Sequence, residues 1–192
     1  LLTFAYLETP LFIVNALLML VIIYAVSKGI EVVARTGELF FVSIYFLAIT
    51  GFILIIFSGL IDMNNLKPIL EDGIFPIAKV VFTQTLYFPF GETIVFSMIF
   101  PYITKRKSVK KIGLFAIILS GINLTITMAI NIGVLGVDLA SRSQFPLLST
   151  IQSIQVAEFL ERLDVFFMIS MVICIFFKVS IYFYAAIASA AV

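Results

Sequence analysis

Charge is what this sequence has least of. Of its 192 residues only 12% are charged, 12 basic and 11 acidic, whereas 62% are hydrophobic and the mean hydropathy is +1.22. A soluble domain runs at about 25% charged and about 45–50% apolar. These few charges are too sparse to cover a soluble core of this size, and the composition equally excludes a disordered chain. Histidine is absent, and cysteine occurs once, as Cys174 inside an apolar run. That excludes disulfides within the chain and the usual zinc ligand sets. The net charge of +1 gives no field that would draw nucleic acid. No charged leader precedes a short apolar core, so no signal peptide is expected. The chain opens on Leu1, and both ends stop in or beside apolar sequence, as expected for a piece of a longer protein.

The apolar residues fall in long runs and do not alternate as barrel strands must. A bundle of membrane-spanning helices is therefore expected, all-α and polytopic, forming a single membrane domain over residues 1–192. Five spans are legible, at about 11–26, 30–61, 74–104, 112–135 and 163–187. Ser27-Lys28-Gly29 separates the first two. Glu31 and Arg35, spaced i,i+4, mark a solvated start for the second. Lys67-Pro68 and Glu71-Asp72-Gly73 punctuate the next linker. A further surface helix is expected over Thr150–Leu160. Basic residues set the orientation. Lys28, Arg35, Lys105, Arg106, Lys107, Lys110 and Lys111 occupy two loops that must share one side, against Lys67, Arg142 and Arg162 in the two opposite loops. The basic side is expected to be cytoplasmic, with the N-terminus of this piece outside and its C-terminus inside.

The third run is too long for one straight span. Its 31 residues would make a helix of about 46 Å against a hydrocarbon core of about 30 Å. At its middle stands Tyr87-Phe88-Pro89-Phe90-Gly91-Glu92. Pro89 cannot donate to the helix ladder and disfavours helix at Phe88, and Gly91 permits a left-handed backbone. A break near 88–92 is expected. Broken helices free backbone groups, and transporters use such breaks to build sites near the midplane. Glu92 just beyond the break is costly at this depth and is a site candidate, with capping of the second half-helix as the plainer alternative. Thr83, Gln84 and Thr85 add hydrogen-bonding groups two turns earlier.

The fifth run has a polar stripe, Ser170, Cys174, Lys178 and Tyr182, at four-residue spacing on one face. Lys178 and Glu92 come at matching depths in their runs, which suggests a pair, direct or bridged; snorkelling of Lys178 to the interface is the alternative. Ser120, Asn123, Thr127 and Asn131 share a face of the fourth run and suit interhelical hydrogen bonds. No nucleophile–base pair, phosphate loop or metal-ligand spacing appears. Neither an enzyme nor a cofactor is expected.

Six runs together resemble the B subunit of bacterial spore germinant receptors. They are GIEVVAR with GELF (residues 29–40), LKPILEDGIFPI (66–77), FPFGE (88–92), FPLLST (145–150), FLERLDVFF (159–167) and FFKVSIYFYAA (176–186). That family is related to the amino acid–polyamine–cation transporters. The resemblance implies a partial leucine-transporter-like fold, with the five spans matching helices four to eight of ten and the interrupted run matching broken helix six. It implies a receptor in the spore inner membrane that recognises a nutrient germinant, usually an amino acid such as L-alanine, and works with A and C subunits. Thr83, Gln84, Tyr87, Phe88, Gly91 and Glu92 then match the unwound part of helix six, and Ser170, Cys174 and Lys178 the wall from helix eight. Helices one to three, nine and ten have no counterpart here, and helix one is expected to supply half of the site. A proton- or cation-coupled amino-acid permease, coupled through Glu92 or Lys178, is the competing function; a purely structural subunit is the third.

Overall fold

The computed structural model describes residues 11–68, 73–103, 106–154 and 163–190. Among these the structure is all-helical, without strands. In chain order the elements are α1 (Leu11–Ser27), α2 (Ile30–Phe57), a 3₁₀ turn (Met63–Leu66), α3 (Ile74–Val80), a π turn (Val81–Thr85), 3₁₀ stretches at Phe90–Met98 and Phe100–Tyr102, α4 (Arg106–Arg142), α5 (Pro146–Gln152) and α6 (Leu163–Ala190). Among the described residues three helices are long and apolar enough to cross a membrane, within α2, α4 and α6, with mean hydropathies of 2.7, 2.0 and 2.3; α1 is a shorter apolar helix. At most 6% of each crossing window is buried within the chain. These helices need an apolar surrounding that this chain does not itself provide, which makes it a membrane protein.

The chain divides into two compact units, residues 1–51 with 162–192 and residues 52–161. In the first, α1 packs on α6. Gly29, at φ +98, ends α1 as a left-handed cap, and α2 starts one residue later. Phe177 of α6 lies against α2: its ring centroid is 5.9 Å from that of Phe40, and a Cβ on Gly37 would stand 3.4 Å from its edge. The buried described side chains of this unit are Ile22, Val33, Ser180 and Ala185. Ser180 satisfies its hydroxyl on the Phe176 carbonyl at 2.7 Å, as a buried serine in a helix must. Arg35 donates to Glu31 at 2.7 Å on the exposed face, the i,i+4 pair expected from their spacing.

In the second unit, the end of α2 comes before the end of its apolar run. The run continues to Ile61, but the helix stops at Phe57, and Gly59 takes φ +68. Hydropathy does not register a glycine stop inside apolar sequence. Helix α4 is longer than its apolar run and contains one non-helical residue, Gly136, at φ 74 and ψ 166. The chain bends there, and α5 follows with Pro146 in its first turn. The surface helix expected over Thr150–Leu160 is not found as such: helix starts four residues earlier and stops at Gln152, capped by Ser153, and residues 155–160 lie outside the described residues. Asn131 and Thr150 are buried, at 2% and 0% exposure. Thr150 Oγ1 lies 2.9 Å from Asn131 Oδ1 and 3.0 Å from the Pro146 carbonyl, so one hydroxyl proton serves two acceptors. Among the four polar residues on that face of α4, Asn131 thus makes a bond to another helix, while Ser120 bonds back to Ala116.

Candidate functional site

The third apolar run loses its α-helical ladder early. Regular helix covers only Ile74–Val80, and from Val81 the backbone changes class. The Leu86 amide reaches the Val81 carbonyl at 2.9 Å, an i→i+5 bond that widens the turn. Thr83 Oγ1 donates to the Lys79 carbonyl at 2.8 Å, drawing off an acceptor of the ladder. The Gln84 carbonyl accepts from both the Tyr87 and Phe88 amides at 3.0 Å. Pro89, which has no amide to give, caps the 3₁₀ stretch that follows. The irregular backbone therefore starts seven residues before Phe88. Widened turns of this kind are frequent at functional positions.

Gly91 has a different reason from the expected one. Its φ is not positive, and Gly29, Gly59, Gly73 and Gly136 are the described glycines that are. A Cβ on Gly91 would stand 3.3 Å from the Leu86 carbonyl. The position is held to glycine by the close approach of the tightened chain and not by a left-handed backbone. Beside it, Phe90 lies over Gly121 of α4, where a Cβ would be 3.8 Å from the ring. Glu92 occupies the first turn of the 3₁₀ stretch, where a carboxylate favours the exposed amides, and it is half-buried. Thr83, Gln84, Tyr87 and Phe88 are exposed, the two aromatics at 69% and 67%. One short irregular segment thus presents hydroxyl, amide, aromatic and carboxylate groups together on non-helical backbone.

The other candidates sit in the other unit. Ser170, Cys174, Lys178 and Tyr182 fall at four-residue intervals along the continuous helix α6. Ser170 is half-buried with its hydroxyl on the Phe166 carbonyl at 2.9 Å, and Cys174 and Lys178 are exposed. Glu92 and Lys178 belong to different units, and the expectation that they pair rests on their depths in the sequence. At the start of α6, Asp164 accepts from the Val165 amide at 2.9 Å.

Sequence reading missed one cluster. The Gly133 carbonyl of α4 accepts from the Asp62 amide at 3.0 Å and from Asn65 Nδ2 at 3.1 Å. Its signals were the Asn64-Asn65 pair and the glycines at 133 and 136, all hidden within or beside apolar runs.

A sequence profile described as "Spore germination protein" matches residues 1–191. The chain is 61% identical to spore germination protein KB of Bacillus subtilis (strain 168), over 97% of this chain and 50% of that protein. It is 28% identical to spore germination protein YndE of the same organism, over 85% and 44%. It is 24% identical to spore germination protein XB of Bacillus anthracis, over 91% and 48%. The chain thus spans about half the length of the curated relatives it matches. No solved structure matches it.

Proposed function

Because the chain belongs to the spore germination protein family, we propose that it is the central part of a germinant-receptor B subunit, a membrane protein that recognises a nutrient and starts germination. The proposed nutrient is an amino acid such as L-alanine. The proposed partners are the receptor's A and C subunits in the spore inner membrane. The five apolar runs act as five spans, equivalent to helices four to eight of a ten-helix transporter-like bundle, with the N-terminus of this piece outside and its C-terminus cytoplasmic.

The observation that carries this reading is the irregular segment Val81–Met98 inside an apolar run, in a chain 61% identical to a spore germination protein. Irregular backbone at membrane depth has to be satisfied by protein, water or ligand. An amino-acid zwitterion offers both a carboxylate for bare amides and an ammonium for carbonyls and carboxylates. In this proposal Thr83, Gln84, Tyr87, Phe88, Gly91 and Glu92 form one side of the ligand site. Ser170, Cys174 and Lys178 form another wall, and a helix outside this chain supplies the rest.

The same segment supports a second reading, a permease in which Glu92 or Lys178 carries the coupling ion. Proteoliposomes holding the full-length protein separate the two. Saturable binding of a radiolabelled amino acid without net uptake is expected of the receptor. Concentrative uptake driven by a proton or sodium gradient would replace it with the permease. Binding of no amino acid, with sugars or nucleosides bound instead, would remove the amino-acid part and leave the nutrient receptor.

A further inference from the structure

Two sets of donors compete for one carbonyl in α4. In an uninterrupted helix the Gly133 carbonyl accepts from the Val137 amide. Gly136 stands between them at φ 74 and ψ 166, which turns that amide off the ladder. The carbonyl accepts from the Asp62 amide at 3.0 Å and from Asn65 Nδ2 at 3.1 Å. Both donors come from one short turn, which Asp62 closes by accepting the Asn64 amide at 2.9 Å. Gly133 is buried, so its carbonyl needs a partner whatever shape the helix takes.

The residue types fit this arrangement. A Cβ at Gly133 would stand 3.2 Å from Ile61 Cγ2, and at Gly136 it would meet a left-handed backbone. The Asn65 side chain lies over the bend, 4.0 Å from where a Gly136 Cβ would be. Beyond the bend, α5 folds back so that Thr150 reaches Asn131 on the near side of Gly136.

We infer that the Asp62–Leu66 turn is a latch that holds α4 bent at Gly136, and that α4 is a two-state element. Bent, the Gly133 carbonyl rests on the latch and Thr150 clasps Asn131. Straight, the carbonyl returns to the Val137 amide, and both the latch and the clasp open. The linker that carries the latch leads on to α3, the start of the irregular segment.

Substitutions push the two states in opposite directions. Asn65→Ala removes a latch donor, and Gly136→Ala penalises the bent backbone; both favour the straight helix. Val137→Pro removes the amide that the straight helix requires. It does so at an exposed first helical position after the bend, where proline is tolerated. The test is a double electron–electron resonance measurement on the full-length protein, with native cysteines, Cys174 among them, replaced by serine and nitroxides at the exposed positions Ile122 and Arg142. A straight helix would separate these residues by about 30 Å. The wild type and Val137→Pro are expected to show a single shorter distance. Asn65→Ala and Gly136→Ala should each add a resolved second peak near the straight-helix value, and Val137→Pro added to Asn65→Ala should abolish it. An unchanged distribution in both Asn65→Ala and Gly136→Ala would overturn the latch. So would a long peak that survives Val137→Pro. The readout requires no ligand, so its failure would be distinct from a failure of nutrient binding.

Discussion

Asn131 and Thr150 show how polar side chains are held inside an apolar chain. Each is buried, and each is the other's partner. Thr150→Val strips the buried Asn131 side-chain oxygen of this donor and should cost about 1–3 kcal/mol; Asn131→Leu leaves the Thr150 hydroxyl on the Pro146 carbonyl and should cost less. Because the two residues share one interaction, the double variant should lose less than the sum. Thermal melts in detergent read this directly, and strict additivity would contradict it. Gly91 is a case of a residue whose importance was legible and whose reason was not. Proline and glycine near an acid pointed to a break, but a sequence does not show that a carbonyl passes 3.3 Å from the missing Cβ. Since the obstacle is backbone and not a flexible side-chain end, Gly91→Ala is expected to destabilise by about 1–3 kcal/mol. A melt unchanged by that substitution would mean that the Leu86 carbonyl can move.

The helices were legible to different degrees for physical reasons. Helix α2 starts at Ile30, right after the Gly29 stop that interrupts an apolar stretch with Ser-Lys-Gly. Its other end was not legible, because Ser58-Gly59 lies within continuous apolar sequence. The bend of α4 falls where the fourth run was expected to end, at residue 135, but hydropathy does not show that helix resumes beyond Gly136 as far as Arg142. Periodicity did locate the polar stripe of α6, because a four-residue repeat on a continuous helix fixes a face without knowledge of neighbours. That stripe makes a prediction through its thiol. Cys174 is exposed among the described residues. If its face lines the proposed ligand site, a water-soluble methanethiosulfonate should modify it in the full-length protein with all other cysteines replaced. A bound amino acid should slow that modification several-fold. Equal rates with and without ligand would remove α6 from the site.

For the chain as a whole, composition was decisive for class and silent on assembly. Long apolar helices that bury at most 6% of their crossing windows within the chain identify a membrane protein, but they do not say which helices cover them. The relatives that the chain matches are about twice as long. Orientation is testable at this level. The basic residues around Ser108 predict that a cysteine placed there reacts with an impermeant maleimide only after cells are permeabilised. A cysteine in place of Asn64 should react in intact cells. The reverse pattern would invert the proposed topology.

The central claim is that the irregular segment at Val81–Met98 holds a nutrient, with Glu92 as its charged contact. Equilibrium binding to the purified full-length protein tests it most directly, using a panel of radiolabelled amino acids with sugars and nucleosides for comparison, on the wild type and Glu92→Gln. A hydrogen bond to a charged group contributes about 1.5–3 kcal/mol, so Glu92→Gln should weaken saturable binding by roughly ten- to a hundredfold, while stability falls by no more than the about 0.3–1 kcal/mol that a carboxylate at a helix start contributes. Saturable wild-type binding that Glu92→Gln leaves intact would contradict the account.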